Sequence, residues 1–412
     1  MAEERLSFCM VTTFYPPYHF GGEAMYVYHL SNELARRGHE VTVVHCVDSF
    51  KVLTSEPPRG DFPQPSSVTV ERLQSPLGPL SPVVTYVAGT PGLKTRQLKR
   101  ILAPGRFDVV HFHIVTLVGG PGVLRHGDGI KLYTAHDHWL VCPMYDLWRY
   151  NRELCDRREC LRCTLSFRRP PQLWRYTNWA RHLAHVDLFL APSRSTIEQH
   201  HRRGFEYPMR HLPHFLPLAE SIDPGPLVSP EQDRPYFLFV GRLVRLKGVQ
   251  TLIEAFRRYD AADLLLAGDG IYGEELRRQA QGLSHVRFLG RVHPTELRSL
   301  YAGAVAVLIP SLAYETFGLI ALEAFARRTP VIAHDLGAVP EVVNESRGGF
   351  TYGTVAELID AMDTLRLNPA LRRELGERGH DAYVRLWSEE PHLQAYFATI
   401  EEARALRRGV RP

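Results

Sequence analysis

The chain has 412 residues, of which 44% are hydrophobic and 23% charged, an ordinary balance for a globular protein without long disordered regions. This length is too great for one ordinary core and favours two domains, because a domain commonly has about 150 residues. The formal net charge of only +4 argues against a general nucleic-acid binder, so we expect no nucleic-acid partner.

The first half of the sequence alternates apolar runs with helical patterns. Five runs predict strands: Arg5–Phe14, Val41–Val47, Asp108–Phe112, Ile130–Thr134 and Val186–Ala191. A helix with Val27, Leu30 and Leu34 on one face joins the first two strands and ends before Gly38. The runs are continuous rather than alternating, which is typical of a parallel sheet covered on both faces.

No segment predicts export or a membrane span. The N-terminus carries charged residues directly before the first strand, so we expect no signal peptide. The longest uncharged run, Leu73–Leu93, contains four prolines and three glycines and is predicted to be a loop rather than a spanning helix. We therefore expect a cytoplasmic protein whose six cysteines are thiols or metal ligands rather than disulfides.

A Pro-rich stretch from Pro213 to Pro235 predicts an interdomain linker, and the alternation restarts after it. Five further runs predict strands: Tyr236–Val240, Leu264–Ala267, Val286–Leu289, Ala304–Ile309 and Pro330–Ala333. The sequence thus predicts an α/β fold with two Rossmann-like domains, 1–214 and 215–390, facing across a cleft. The last segment, 391–412, is predicted to be a helix that packs back on the first domain.

The strongest functional signal is Tyr314–Ala324, in which Glu315 and Glu323 lie eight residues apart around Gly318. Glu315 precedes a helix and is placed to project into the cleft. The first N–H groups of that helix, near Gly318 and Leu319, suit a phosphate. Glu323 lies inside the helix, where it could accept hydrogen bonds from ribose hydroxyls. The alternative is that both glutamates are ordinary surface charges.

Two cations follow the predicted strand Tyr236–Val240 directly, at Arg242 and Lys247, each beside a glycine. Cations on a strand-to-helix loop suit a diphosphate, whose charge must be neutralised as it leaves. The sequence has no Asp-x-Asp pair to carry a metal, so we expect no catalytic metal. The alternative is two solvated cations near a turn.

A third motif, Tyr133–Trp139, follows a strand at the edge where functional groups of α/β sheets gather. Within it, His136 could hydrogen-bond a sugar hydroxyl, although a structural histidine is an equal alternative. Two glycine-rich turns, Gly21–Glu23 and Gly268–Gly270, are weaker candidates for phosphate contact.

These motifs, in this order, resemble those of glycosyltransferase family 4, which has the GT-B fold. The resemblance implies retention of the donor's anomeric configuration and catalysis without a divalent metal. It implies that Arg242 and Lys247 clamp the diphosphate and that Glu315 faces the donor sugar. It also implies a role for His136 beside the reaction centre. The remaining implied donor contacts are Gly22, Phe317, Gly318 and Leu319, with Glu323 on the ribose and Val286–Gly290 near the base.

The predicted function is transfer of a hexose-type sugar from a nucleotide-diphosphate donor to a glycan or lipid-linked acceptor. Two alternatives are a nucleotide-sugar epimerase of the same fold and a non-catalytic sugar-nucleotide binding module. The epimerase would release no glycosylated product. The binding module would need the clamp but neither His136 nor Glu315.

Four cysteines fall within 22 residues: Cys142, Cys155, Cys160 and Cys163. Many members of the family lack such a cluster, so the resemblance does not indicate its role. Four thiolates at this spacing predict one structural zinc ion, with free thiols, disulfides and an iron–sulfur cluster as alternatives. We expect Cys9 and Cys46 to be buried thiols in strands.

A basic, aromatic segment follows the cysteines, with these residues: Arg168, Arg169, Arg175, Arg181, Trp174 and Trp179. It predicts either a surface that meets anionic lipid at the inner face of a membrane or an exposed helix face.

Overall fold

The structure, a computed structural model, describes residues 5–220 and 234–409; positions 221–233 of the predicted linker lie outside this range. The strands are β1 (Ser7–Val11), β2 (Glu40–Cys46), β3 (Val68–Leu73), β4 (Val109–Phe112), β5 (Ile130–Thr134), β6 (Trp148–Arg149), β7 (Glu153–Leu154), β8 (Leu188–Ala191), β9 (Met209–His211), β10 (Tyr236–Val240), β11 (Asp263–Ala267), β12 (Val286–Gly290), β13 (Val307–Ile309), β14 (Val331–His334) and β15 (Gly349–Tyr352).

The α-helices are α1 (Gly22–Arg36), α2 (Val47–Leu53), α3 (Leu80–Ala88), α4 (Thr95–Ile101), α5 (Cys160–Ser166), α6 (Trp179–Leu183), α7 (Arg194–Arg202), α8 (Val249–Phe256), α9 (Gly273–Gln279), α10 (Pro294–Gly303), α11 (Leu319–Phe325), α12 (Val339–Ser346), α13 (Val355–Leu367), α14 (Pro369–Leu386) and α15 (Glu389–Arg407). None of these helices combines the length and the apolar character needed to cross a bilayer in the part of the chain that the structure describes.

The two large sheets are parallel and doubly wound. The first has the order β3-β2-β1-β4-β5-β8-β9, and the second has the order β12-β11-β10-β13-β14-β15. The interior strand β1 pairs in parallel with β2 and β4, and β10 pairs in parallel with β11 and β13. The predicted α/β class with two Rossmann-like domains is therefore confirmed.

Both faces of each sheet are buried, which explains the continuous apolar runs. Along β1, Cys9 and Val11 enter the core on one face, whereas Phe8 and Met10 enter the core on the other. The same alternation holds in β10, where Phe237 and Leu238 belong to opposite cores. A strand covered on both sides needs apolar residues at every position, so it lacks the period-two pattern of a half-exposed strand.

Three strands of the large sheets were not predicted, and each lies at a sheet edge: β3, β9 and β15. β3 contains Glu71 and Arg72, and only Leu73 within it is buried. An edge strand exposes one side to solvent and tolerates charge, so a search for apolar runs misses it. The short antiparallel hairpin of β6 and β7 was missed as well.

Helix α15, near the C-terminus, lies against the first sheet. The Tyr396 hydroxyl and His111 Nδ1 are 3.0 Å apart, and His392 Nε2 lies 3.1 Å from the Tyr26 hydroxyl. Arg407 donates to the backbone oxygen of Asp128 at 2.8 Å. Helix α15, which follows the second sheet in the chain, thus packs against the first sheet. The domain boundaries at 214 and 390 stay predictions.

Candidate active site

Loops from the carboxyl ends of the two sheets meet in direct contact. Thr316 Oγ1 donates to the backbone oxygen of His136 at 2.8 Å, and His138 Nε2 lies 3.3 Å from the backbone oxygen of Tyr314. Thr196 Oγ1, in α7, donates to the backbone oxygen of Thr316 at 3.1 Å. The loop after β5 therefore lies against the loop that leads into α11.

The start of α1 approaches the same loop. A Cβ atom added to Gly22 would lie only 2.7 Å from Leu319 Cδ1, so a larger residue at position 22 would force Leu319 to move. Sequence reasoning placed Gly22 and Leu319 at one donor site, and the structure brings these two residues together.

Lys247 and Glu315 form an ion pair at the centre of this region. Lys247 Nζ lies 2.6 Å from Glu315 Oε1, and the two side chains are only 25% and 22% exposed. The Ser311 hydroxyl donates to the same Glu315 oxygen at 2.5 Å. Burial acts to raise the pKa of Glu315, but the Lys247 ammonium and the Ser311 hydroxyl outweigh it, so the pKa lies below its ordinary value. Glu315 is therefore ionised at neutral pH.

Arg242 lies on the same loop as Lys247 and faces the first domain. It is exposed, and its charge acts on Glu315 and, across the cleft, on Glu23 and Asp146. The two predicted clamp cations and Glu315 are thus brought together, with carboxylates of the first domain opposite them.

Close backbone packing holds the clamp loop in place. A Cβ atom on Gly248 would lie 1.8 Å from the backbone oxygen of Pro310, and one on Gly268 would lie 1.9 Å from that of Gly241. Leu243 N also donates to Asp269 O at 2.9 Å. The Gly268–Gly270 turn therefore supports the clamp loop from behind, and only glycine fits where these backbones meet.

Glu323 lies within α11, as predicted, and its carboxylate accepts a hydrogen bond from the Tyr301 hydroxyl at 2.6 Å. Phe317, two residues before the start of this helix, is buried. The ring of His214 packs edge-on against Phe317 with the centroids 5.4 Å apart, so this loop also contacts the buried histidines of the first domain.

His136 is the middle member of a buried row of three histidines. Its Nε2 atom lies 2.9 Å from His113 Nδ1, and its Nδ1 atom lies 3.1 Å from His214 Nε2. Burial lowers the pKa of His136 to about 3, so the ring is neutral at physiological pH. A hydrogen bond from His136 to a sugar hydroxyl would have to replace one of these two contacts, and the proposed role of His136 stays a prediction.

Two carboxyl groups in the cleft were not singled out by sequence reasoning. Burial raises the pKa of Asp137 to about 7 and that of Asp146 to about 6. Asp137 Oδ1 accepts the N–H of Trp139 at 2.9 Å, which fixes the turn after His136. Asp137 lies within the motif Tyr133–Trp139, so its position after a strand could have identified it as a site residue. Asp146 lies in an irregular loop, where no sequence pattern distinguishes it from other surface carboxylates.

The buried histidines lead to a prediction about acid stability. Burial lowers the pKa of five of them to about 3 or 4: His45, His126, His136, His200 and His392. Below about pH 6.5 each of these rings takes up a proton in the unfolded chain but not in the folded protein, so acidification favours unfolding. Asp137 and Asp146 have the opposite effect on stability. Because their pKa values are raised in the folded protein, it takes up their protons at a higher pH than the unfolded chain does. The histidines outnumber them.

We therefore expect the free energy of unfolding to fall by roughly 3–4 kcal/mol per pH unit between pH 6 and pH 4.5. Urea denaturation across this range measures the slope. His45→Phe is the matched variant, because neither ring nitrogen of His45 hydrogen-bonds another group among the described residues. This variant should reduce the slope by about 1.4 kcal/mol per pH unit. A slope that is flat or of opposite sign would refute the assignment of neutral buried histidines.

The four clustered cysteines are free thiols in the structure. All six cysteines are free, and Cys9 and Cys46 are buried in β1 and β2. Cys142 and Cys163 share a small apolar cluster with Cys155 packed against it. Across residues 5–220 and 234–409, no three His, Cys, Asp or Glu side chains are arranged to hold a metal ion.

Burial raises the pKa of Cys142 to about 12, although the N–H groups of Leu147 and Met144 act to lower it. Zinc binding at this thiol would have to displace its proton. The structural zinc site at Cys142, Cys155, Cys160 and Cys163 stays a prediction, which elemental analysis of protein purified without added metal decides.

In the basic, aromatic segment after the cysteines, Arg168 and Arg181 are exposed, whereas Trp174 and Arg175 face inward. Arg175 packs between the rings of Trp139, Trp174 and Trp179, with its guanidinium carbon 4.8 to 5.0 Å from each centroid. Burial lowers the pKa of Arg175 to about 10, and Trp174 is also buried. Exposure of these two residues was a wrong expectation, because cation–π contacts fold them inward.

Family models match most of the chain. The model described as Glycosyltransferase Family 4 matches residues 20–220, and the model described as Glycosyl transferases group 1 matches residues 234–368. The chain belongs to glycosyltransferase family 4, whose members have the GT-B fold.

Among curated relatives, the MMP alpha-(1->4)-mannosyltransferase of Mycolicibacterium hassiacum is 26% identical over 93% of this chain and 95% of its own. Four further relatives are 30% to 38% identical over segments of 140 to 185 residues, and these segments span only 36% to 53% of their lengths.

Among solved structures, sucrose-phosphate synthase from Thermosynechococcus elongatus has a TM-score of 0.74 at 22% identity, covering 97% of this chain and all of the other. Anabaena HepE in complex with UDP-glucose has a TM-score of 0.67 at 17% identity, with 97% and 100% covered. Both structures are evidence for the fold.

Proposed function

We propose that the protein transfers a hexose-type sugar, with retention, from a nucleotide-diphosphate donor to a glycan or lipid-linked acceptor, without a catalytic metal. The observation that carries this proposal is the ion pair between Lys247 and Glu315, which lies with Arg242 where the two domains meet. The family membership and the UDP-glucose bound by HepE support a sugar nucleotide as donor.

In this reaction the bond between the anomeric carbon and the diphosphate breaks while the acceptor oxygen bonds to that carbon. Negative charge develops on the leaving diphosphate, and Arg242 and Lys247 are placed to stabilise it. For retention, the acceptor attacks from the side that the diphosphate leaves, and its proton passes to a diphosphate oxygen. This route requires cations near the leaving group and needs no separate general base.

Glu315 has two tasks in this proposal. Before the donor binds, it holds Lys247 at the start of α11 and balances its charge. When the diphosphate pairs with Lys247, the ionised carboxylate is free to accept hydrogen bonds from the sugar and to stabilise positive charge near the anomeric carbon. Glu323, farther along α11, accepts from the ribose, with Tyr301 fixing its orientation.

The proposal is tested by incubating the protein with UDP-glucose and other sugar nucleotides, with and without glycan or lipid-linked acceptors. We expect release of the nucleoside diphosphate to depend on acceptor and to yield a glycosylated product. An altered donor sugar without glycosylated product would instead indicate an epimerase, and binding without turnover would indicate a sugar-nucleotide binding module.

A further inference from the structure

Helix α3 carries its apolar residues on the outside. Four side chains each have between 43% and 63% of their surface exposed: Leu80, Val83, Val84 and Val87. Their spacing places them on one stripe of the helix. The polar residues Ser81 and Thr85, in contrast, are buried. This orientation is the reverse of that of an ordinary surface helix.

A neighbouring segment extends this stripe. The indole N–H of Trp174 donates to the backbone oxygen of Tyr86 at 3.1 Å, which fixes the single turn Leu173–Tyr176 beside α3. Leu173 and Tyr176 are 63% and 67% exposed. These two residues and the stripe of α3 together form the apolar face. Exposed apolar side chains concentrated in two neighbouring segments indicate a contact site more strongly than single exposed apolar residues do.

Charge identifies the kind of partner. The two segments that carry the apolar face, 72–107 and 160–186, contain eleven of the 49 Lys and Arg residues and none of the 45 Asp and Glu residues. Exposed cations in them include Arg96, Lys99 and Arg100 after α3, and Arg168 and Arg181 around the Leu173 turn. Exposed apolar residues carried by segments whose charged residues are all cations suit an anionic bilayer, which offers acyl chains beneath negative headgroups.

We propose that the apolar face docks this glycosyltransferase on an anionic lipid bilayer, with α3 lying in the plane of the membrane surface. A second copy of the chain is a poorer occupant, since two such faces would bring cations together without any carboxylate to pair with them. The sequence predicted a lipid-facing surface that included Trp174 and Arg175. These two residues face inward, so they are not part of the apolar face proposed here.

A series of contacts connects segment 160–186, which carries part of the apolar face, to the cleft. The Arg169 guanidinium lies over the Tyr145 ring, 5.2 Å from its centroid, and the backbone oxygen of Tyr145 accepts from His138 N at 3.0 Å. His138 in turn contacts Tyr314, beside Glu315. A docked protein would therefore have the acceptor side of its cleft near the membrane. The inference that a lipid-linked acceptor reaches the cleft from the membrane rests on the proposed function. The inference that the apolar face docks on a bilayer does not.

Co-sedimentation with vesicles tests the proposal without any donor or acceptor. We expect the protein to bind vesicles of phosphatidylcholine and phosphatidylglycerol more strongly than vesicles of phosphatidylcholine alone, and less strongly as salt is raised. The double variant Leu80→Ser/Val84→Ser should weaken this binding at least ~10-fold, because it removes acyl-chain contact.

Leu367→Ser is the matched control, because Leu367 is 67% exposed at the end of α13 in the second domain. This control should bind vesicles like the unaltered protein, and all three proteins should melt cooperatively at similar temperatures. Equal vesicle binding by both variants, or none by the unaltered protein, would overturn the proposal. If the unaltered protein did not bind vesicles but associated with itself, and the double variant did not self-associate, the apolar face would instead bind a second copy of the chain. Vesicle binding without sugar transfer would leave docking intact and refute the proposed function.

Discussion

Replacement of Lys247 by alanine should lower kcat/KM for the sugar-nucleotide donor by about 30- to 1000-fold, equivalent to about 2–4 kcal/mol of lost transition-state stabilisation. Lys247 is a half-buried cation whose ammonium lies 2.6 Å from Glu315, in a site where charge interactions are stronger than in water. Its removal takes away charge that balances the leaving diphosphate and also leaves Glu315 without its ion pair. Steady-state kinetics at saturating acceptor measures the loss.

Arg245→Ala is the control for this prediction, because Arg245 is an exposed cation in the same loop. It should change kcat/KM by less than about threefold, as an exposed charge is largely screened by solvent. The double variant Lys247→Ala/Glu315→Gln separates the two consequences of losing Lys247. If the ion pair matters, the loss in the double variant will be smaller than the sum of the two single losses. Equal small losses in the Lys247 and Arg245 variants would place the diphosphate elsewhere.

Replacement of Glu315 by glutamine should lower turnover by about 100-fold or more while leaving nucleoside-diphosphate affinity unchanged or tighter. The carboxylate faces the sugar in the proposed mechanism, so loss of its charge acts in the transition state. At the same time Lys247 loses the anion that balances it and becomes a better partner for the diphosphate. Single-turnover kinetics and calorimetric titration with the nucleoside diphosphate measure these two effects separately.

Glu323→Gln should give the opposite pattern, with weaker nucleotide affinity and a smaller effect on turnover, because its proposed partner is the ribose. Tyr301→Phe is the control variant, because it removes the hydrogen bond that orients Glu323 and keeps the Glu323 carboxylate. If Glu315→Gln weakened nucleotide affinity as much as it slowed turnover, Glu315 would contact the nucleotide or maintain the fold rather than act on the sugar.

The central strands and the motif positions could be predicted from the sequence because their physical causes are local. β1 and β10 are buried on both faces and are apolar throughout, so their runs stand out. Arg242 and Glu315 follow such strands at the edge where α/β sheets bind ligands. Edge strands such as β3 carry charges on their exposed side and give no comparable signal.

The contacts between distant segments could not be predicted in the same way. The row of His113, His136 and His214 joins residues up to about 100 positions apart, and only the parallel order of β4 and β5 brings the first two together. Ser311 has no feature of its own that marks it as a partner of Glu315. The inward folding of Arg175 depends on three tryptophans that converge only in the folded chain.

NMR assignment of the anomeric configuration of the product, with excess chelator present, tests metal-independent transfer with retention. We expect the new glycosidic bond to have the same configuration as the donor and turnover to continue without magnesium or manganese, because Arg242 and Lys247 supply the charge at the leaving diphosphate. Prompt loss of turnover must be separated from slow unfolding by following the fold during chelation. A product of inverted configuration, or activity abolished by chelator and restored by magnesium, would contradict it.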